Sequence, residues 1–171
     1  MRKYFLTLLT VLIATAYTSA QFGGGSGTAT DPYIISTAAH LAGITGNYIT
    51  EGYHFKQTAD INLTSYNNWT PIGTTSSPFN GIYDGNNKEI SNLKITGTNA
   101  NRGLFAATSS TAVIKNVVLT DVSITGRNYM GSLVAYNRGV VENCSATGSV
   151  TGRTPTGGLI GKKLNSGVVS N

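Results

Sequence analysis

The sequence is poor in charge. Asp, Glu, Lys and Arg make up 11% of its 171 residues. Coiled coils and long surface helices need many Glu and Lys, so neither can be the main architecture. Cysteine is nearly absent, and Cys144 stands alone. One thiol permits no disulfide framework and no multi-cysteine metal site within the chain. The two histidines, His40 and His54, are fourteen residues apart and share no face. No run of Lys or Arg forms a phosphate-tracking stripe, which argues against nucleic acid as a partner. Neither an alternating Asp pattern nor a Gly/Asp nonapeptide builds a calcium loop, so no metal or other cofactor is expected. After the first twenty residues, no apolar run approaches the roughly 20 residues that span a bilayer.

What is present points to short strands. Gly contributes 21 residues and hydrophobic types 40%. With abundant Thr, Ser and Asn, this composition suits many strands joined by tight turns around a real core. The N-terminus reads as an export leader. Arg2 and Lys3 precede a mostly apolar stretch from Phe5 to Ala16, and Thr18-Ser19-Ala20 supplies small residues before a cut. Removal of residues 1–20 takes two of the 12 basic residues, leaving 10 against 7 acidic, or +3. The expected location is therefore secreted or cell surface.

The mature chain repeats itself. Gly131-Ser132-Leu133-Val134-Ala135 matches Gly157-Gly158-Leu159-Ile160-Gly161. Gly139-Val140-Val141-Glu142-Asn143 matches Gly167-Val168-Val169-Ser170-Asn171 in the same order. A weaker copy runs through Gly103-Leu104-Phe105-Ala106 and Val113-Ile114-Lys115-Asn116. Asn92, Asn116, Asn143 and Asn171 are spaced by 24, 27 and 28 residues. An apolar residue lies two before each of the first three, with others one and three after: Ile90, Leu93 and Ile95, then Ile114, Val117 and Leu119, then Val141, Cys144 and Ala146. That spacing fits a strand, a one-residue corner and a second strand. A unit of this length built from strands and corners is one coil of a parallel β-solenoid. The fold class predicted is all-β, a right-handed parallel β-helix, with the hand taken from the strong bias of such crossovers. The four asparagines should then stack in a single column, and the layered reading rests on that column.

The coils are expected over residues 66–171, clearest at 129–152 and 156–171. Residues 21–27 read as a Gly/Ser linker. Residues 28–65 read as an N-terminal cap, because an open sheet edge needs covering. Within that cap, Thr37 should cap a short helix ending at Gly43. The chain stops at Asn171, on a repeat corner. The expectation is a fragment of a longer product or a stack continued through a partner.

The stretch from Tyr129 to Val150 resembles the GLUG repeat of bacterial surface proteins, and Gly157-Gly158-Leu159-Ile160-Gly161 matches the core of that motif. Ala59-Asp60-Ile61-Asn62-Leu63, Trp69-Thr70-Pro71-Ile72-Gly73 and Phe79-Asn80-Gly81-Ile82-Tyr83-Asp84-Gly85-Asn86 resemble the leader that often precedes such repeats. Ala135 and Lys162 depart from the pattern, standing where it has Gly and a small polar residue. The resemblance implies a secreted or surface β-helical region of adhesin-like proteins, or an accessory part of immunoglobulin A peptidases. It carries over no catalytic residues. The peptidase chemistry of that group sits in a zinc domain with a His-Glu-x-x-His motif, and this chain has none.

The residues themselves offer little chemistry. The carboxylates are Asp31, Glu51, Asp60, Asp84, Glu89, Asp121 and Glu142. A glycosidase needs two of them about 5 to 9.5 Å apart across a cleft, and no Asp pair recurs at the coil spacing. Asp84, before Gly85-Asn86-Asn87, reads as a turn residue and Asp60 as a strand-entry cap. Cys144 aligns with Val117 and Leu93, which makes it a small buried apolar group. Trp69, Tyr66, Tyr83, Tyr129 and Tyr136 could pack internally or stack on sugar rings; packing is the simpler role for Trp69, and Tyr136 is the residue expected at the surface. Asn143 in Asn143-Cys144-Ser145 matches a glycosylation acceptor but is expected to be buried in its corner.

The expected function is therefore non-catalytic: an adhesin-like rod that binds host or matrix protein or glycan. Its expected contact surface is Tyr136, Asn137, Arg138, Lys162 and Lys163. The competing readings are a carbohydrate-active β-helix enzyme, which requires an acid-bearing cleft, and a structural spacer of a larger surface protein or peptidase.

Overall fold

The computed structural model describes residues 21–170. The expected leader over 1–20 and the corner residue Asn171 lie outside the described residues. The chain opens with β1 (Tyr33–Ile35), α1 (Ala38–Ala42) and α2 (Asn47–Thr50). Strands and corners follow: β2 (His54–Gln57), β3 (Ile61–Asn62), β4 (Ile82–Asp84), β5 (Glu89–Ser91), β6 (Lys94–Ile95), β7 (Phe105–Ala107), β8 (Val113–Lys115) and β9 (Val118–Thr125). The last five are β10 (Val134–Asn137), β11 (Val140–Glu142), β12 (Ser145–Thr151), β13 (Ile160–Lys163) and β14 (Val168–Ser170).

These strands form three parallel sheets. The long sheet has the order β1-β2-β4-β8-β11-β14, the second sheet β12-β9-β5-β3 with β6 also beside β9, and the third sheet β13-β10-β7. The chain visits them in a fixed order: β7, β8, β9, then β10, β11, β12, then β13, β14. A chain that returns to each sheet one layer further on is a solenoid, so the parallel β-helix expected from the repeats is the fold.

Register turns the repeats into columns. In the long sheet Tyr33, Phe55, Tyr83, Ile114, Val141 and Val169 occupy successive layers of one column. In the second sheet Ile61, Ile90, Leu119 and Ala146 do so. In the third, Ile72, Phe105, Val134 and Ile160 align. Phe55, Tyr83, Ile114, Val141, Ile90, Leu119, Phe105 and Val134 are all buried. Each such side chain contributes roughly 1.5–3 kcal/mol of burial. The early coils use rings and the later coils aliphatics, so the core changes character along its length. Polar groups sit inside too: Gln57 is fully buried, accepts from the Tyr83 hydroxyl at 3.1 Å and donates to Ala59 O and Glu89 O.

The first residues are packed, contrary to the linker expected over 21–27. Gly23 N donates to Ile34 O and Ile34 N to Gly24 O, both at 2.9 Å. Phe22 is buried, with its ring 4.8 Å from both Tyr33 and Tyr48. Composition suggested flexibility, but one aromatic anchor and close backbone approach outweigh it. A Cβ on Gly25 would lie 2.0 Å from Pro32 O. In α1, the His40 N–H donates to Thr37 Oγ1 at 3.1 Å and Gly43 ends the helix, as expected. The helix α2 was not foreseen, since four residues are too few to show a period.

The single asparagine column is not what forms. Asn116 and Asn143 share one corner, continued by Gly85: Gly85 N donates to Lys115 O, Asn116 N to Glu142 O and Asn143 N to Ser170 O. Asn92 belongs to the next corner, because Ser91 pairs with Thr120. It therefore stands beside Asp121, and Leu93 is one corner away from Val117 and Cys144. Nor does Asn116 bond to another amide; its Nδ2 donates to Asp84 Oδ1 at 2.9 Å. The layers are held by in-register backbone pairing, so the solenoid stands without the amide column. What the asparagines share is conformation: φ is 59° at Asn92, 54° at Asn116 and 51° at Asn143. Two different corners need a left-handed residue between inward apolar ones, and the same local sequence serves both.

A consequence is measurable at Asn116. Alanine there should cost about 2 kcal/mol, roughly half from left-handed strain and half from the lost bond to Asp84. Glycine should recover the backbone share. Urea midpoints of the two variants test this, and an alanine variant as stable as the parent would refute it.

Candidate contact surface

The third sheet brings two tyrosines and two cations together. Tyr136 in β10 pairs directly with Lys162 in β13. The Lys162 Nζ lies 5.4 Å from the Tyr136 ring centroid, and the Arg138 guanidinium 5.1 Å from it. Tyr129 enters from the preceding loop. Its positive φ of 59° turns the chain, and its N–H donates to Pro155 O at 2.8 Å. The Tyr129 and Tyr136 rings meet edge to face at 5.8 Å, and Lys162 Nζ sits 5.0 Å from the Tyr129 ring. Both rings and both cations are partly open to solvent. Each cation over a ring is worth roughly 0.5–1 kcal/mol at exposed sites, enough to orient the group.

The structure assembles most of the expected contact set and removes one member. Asn137 is fully buried. Thr108 Oγ1 donates to its Oδ1 at 2.7 Å, and its Nδ2 donates to Gly139 O at 3.1 Å. The Tyr-Asn-Arg segment is the end of β10 and its corner, so Asn137 is internal scaffolding. Lys163 is exposed, and its Nζ donates to Gly167 O at 3.0 Å. Tyr129 was absent from the expected set. No sequence spacing reveals it, because its approach to Tyr136 depends on how the loop folds across the layers.

The other aromatics divide differently. Tyr83 and Trp69 are buried, and Trp69 Nε1 donates to Leu104 O at 3.4 Å. Tyr66 packs edge to face on Trp69 at 5.2 Å. Two of the carboxylates have structural roles. Asp84 Oδ1 accepts from Asn86 N at 2.8 Å, and Asp60 Oδ1 accepts from Glu89 N at 2.9 Å on the neighbouring coil. A cleft of about 290 Å³, lined by Thr70, Thr74, Asn99, Asn101 and Arg102 among others, holds no carboxylate. Another of about 270 Å³ holds a single one, Asp121, near Lys94. Among the described residues no three His, Cys, Asp or Glu side chains cluster as a metal site would. Asn143 is exposed at its corner, not buried as expected.

Cys144 is buried beside Val117. Burial pushes its thiol up to about 11, against a partial lowering by backbone hydrogen bonds. In the unfolded chain the thiol ionises near 9.0. Ionisation therefore favours unfolding between these values. The contribution to stability is complete below pH 9 and lost as pH rises to about 11. Chemical unfolding across that window should show a steeper fall for the parent than for Cys144→Val, which matches Val117; identical pH profiles would refute the assignment.

Residues 126–151, which carry Tyr129, Tyr136 and Arg138, match the family model described as the GLUG motif. The chain carries a GLUG motif. It is 36% identical over 155 residues to a protein named as a Gly-rich membrane protein from Evansella cellulosilytica, covering 82% of this chain. It is 38% identical over 156 residues to halomucin from Haloquadratum walsbyi, covering 86% of this chain. The GLUG-motif chain spans only 18% of the first relative's length and 2% of the second's. Its fold is similar to that of a solved chain from Bacteroides ovatus assigned as an immunoglobulin A1 protease, with TM-score 0.64 and 22% identity over 76% of this chain and 41% of that one. At that identity the likeness concerns fold. Among the described residues of the GLUG-motif chain, no helix is long and apolar enough to cross a membrane.

Proposed function

We propose that this GLUG-motif chain is a non-catalytic, adhesin-like recognition module of a secreted or cell-surface protein. It engages host or matrix protein or glycan through Tyr129, Tyr136, Arg138 and Lys162. The observation that carries the reading is the rigid placement of two partly open rings and two cations by in-register parallel strands. A preorganised face loses little entropy on binding. Repetition along a rod multiplies weak contacts through avidity. The relatives named as a membrane protein and as halomucin support a place at the surface.

The test immobilises the chain against a panel of glycans and matrix proteins, beside the Tyr136→Ala and Lys162→Ala variants. At least one class should bind to the parent and be lost in both variants, with circular dichroism unchanged. Binding that survives both substitutions would refute the site. Release of reducing ends or unsaturated sugars from any polysaccharide would instead establish the enzyme reading. The proposed leader has its own check: N-terminal sequencing of the exported protein should begin at Gln21.

A further inference from the structure

Charge is unevenly distributed around the coil. In three successive coils, the third sheet and the loops leading into and out of it are built from residues 97–112, 126–139 and 152–167. Those segments hold Arg102, Arg127, Arg138, Arg153, Lys162 and Lys163, and not one Asp or Glu. The carboxylates of the same coils, Asp121 and Glu142, lie on β9 and β11 in the other two sheets. Among the described residues the single ion pair is Lys115 with Asp84, on the long sheet. The six bases therefore have no carboxylate partner.

Nothing in the packing asks for this. Arg127, Arg153 and Lys163 are exposed, and most residue types are tolerated at such positions. The bases also repeat by layer. Arg153 N donates to Arg127 O, which sets these two side chains on adjacent coils. One layer further back, Arg102 and Asn101 line the 290 Å³ cleft, where Arg102 Nε and Asn101 Oδ1 are buried without partners. A face of one sign attracts and aligns a counter-charged ligand from a distance.

We propose that this face binds an anionic polysaccharide laid along the solenoid axis. The inference rests on the recognition role proposed above and names its ligand class. The coil spacing of about 4.8 Å is close to the length of one sugar ring, so carboxylates or sulfates on successive sugars can meet cations on successive coils. Tyr129 and Tyr136 offer ring surface to sugar C–H faces beside those cations. Nucleic acid fits less well. The two rings stand at 85° to each other and already carry Lys162 and Arg138 over them, so they offer no platform for successive stacked bases.

The full chain is to be titrated with polygalacturonate, its fully methyl-esterified form, dextran sulfate, neutral dextran and single-stranded DNA, at two salt concentrations. At least one anionic glycan should bind, at least tenfold more tightly than its neutral counterpart, and should weaken as salt rises. Polygalacturonate or dextran sulfate alone identifies carboxylate or sulfate as the anion. Charge reversal by Arg127→Glu with Arg153→Glu, at exposed loop positions that leave the fold intact, should cost at least tenfold. Lys56→Glu on the long sheet should change nothing. Equal affinity for charged and neutral polymers overturns the proposal, as does DNA binding as tight as the glycan, and so does no binding to either anionic glycan. If a neutral glycan or a protein then binds and Tyr136→Ala abolishes it, the recognition role stands while the anionic assignment fails. If nothing binds at all, both fail.

Discussion

Alanine at Gly131 is expected to lower stability by about 3 kcal/mol, the upper range for overpacking a filled site. A Cβ there would sit 2.5 Å from Gly161 N, 2.5 Å from Val134 O and 2.9 Å from Ile160 C. These are backbone atoms, two of them in the next coil. A flexible side chain could move aside, but Gly161 N can retreat only if β13 separates from β10. Gly103 faces the same constraint, since a Cβ there would lie 2.5 Å from Gly131 O, whereas at Gly157 the obstructing atom is Ile160 O of its own coil, 2.0 Å away. At Gly103 and Gly131 the motif begins with glycine because successive coils touch backbone to backbone there. Gly158, the next residue along, has open space around its Cβ position. Gly158→Ala should therefore stay within about 0.5 kcal/mol of the parent. Urea midpoints measured side by side decide the matter, and equal effects at the two glycines would contradict the layered contact.

Phe105→Ala should be as damaging, at about 3–5 kcal/mol. Phe105 is fully buried, with its ring 5.0 Å from Phe79 and 5.7 Å from Tyr83. It joins two columns, since it stacks between Ile72 and Val134 and meets Tyr83 across the core. Its removal leaves a cavity bounded by backbone ladders on three sides, and these cannot collapse inward without breaking register. Val169 provides the contrast. It continues the Tyr83 column but is 43% exposed, so Val169→Ala should cost well under 1 kcal/mol. Thermal or urea unfolding that ranks Val169→Ala with Phe105→Ala would show that the columns do not share one core.

The coils were legible because stacking imposes one residue class at each layer. Val113, Val140 and Val168 pair in sequence order, and so do Val134 and Ile160. Asn92 was misplaced for a related reason. A left-handed residue between inward apolar neighbours occurs at two corners, and a period does not say which corner is meant. Phe22 was missed because a lone aromatic among glycines gives no pattern until the rings of Tyr33 and Tyr48 close on it.

The site was less legible than the fold. Tyr136, Arg138, Lys162 and Lys163 could be chosen because they vary where the repeats otherwise agree. Asn137 looked identical in kind, yet its neighbours Thr108 and Gly139 draw it inside. By itself the sequence determined the winding and the residue classes of the columns, since both follow from contacts between equivalent residues one layer apart. Tertiary structure alone decided which corner each asparagine occupies, that Tyr129 reaches Tyr136, and that the bases share one side. Those depend on loops crossing between layers, where residues far apart in sequence meet without any repeat to announce them.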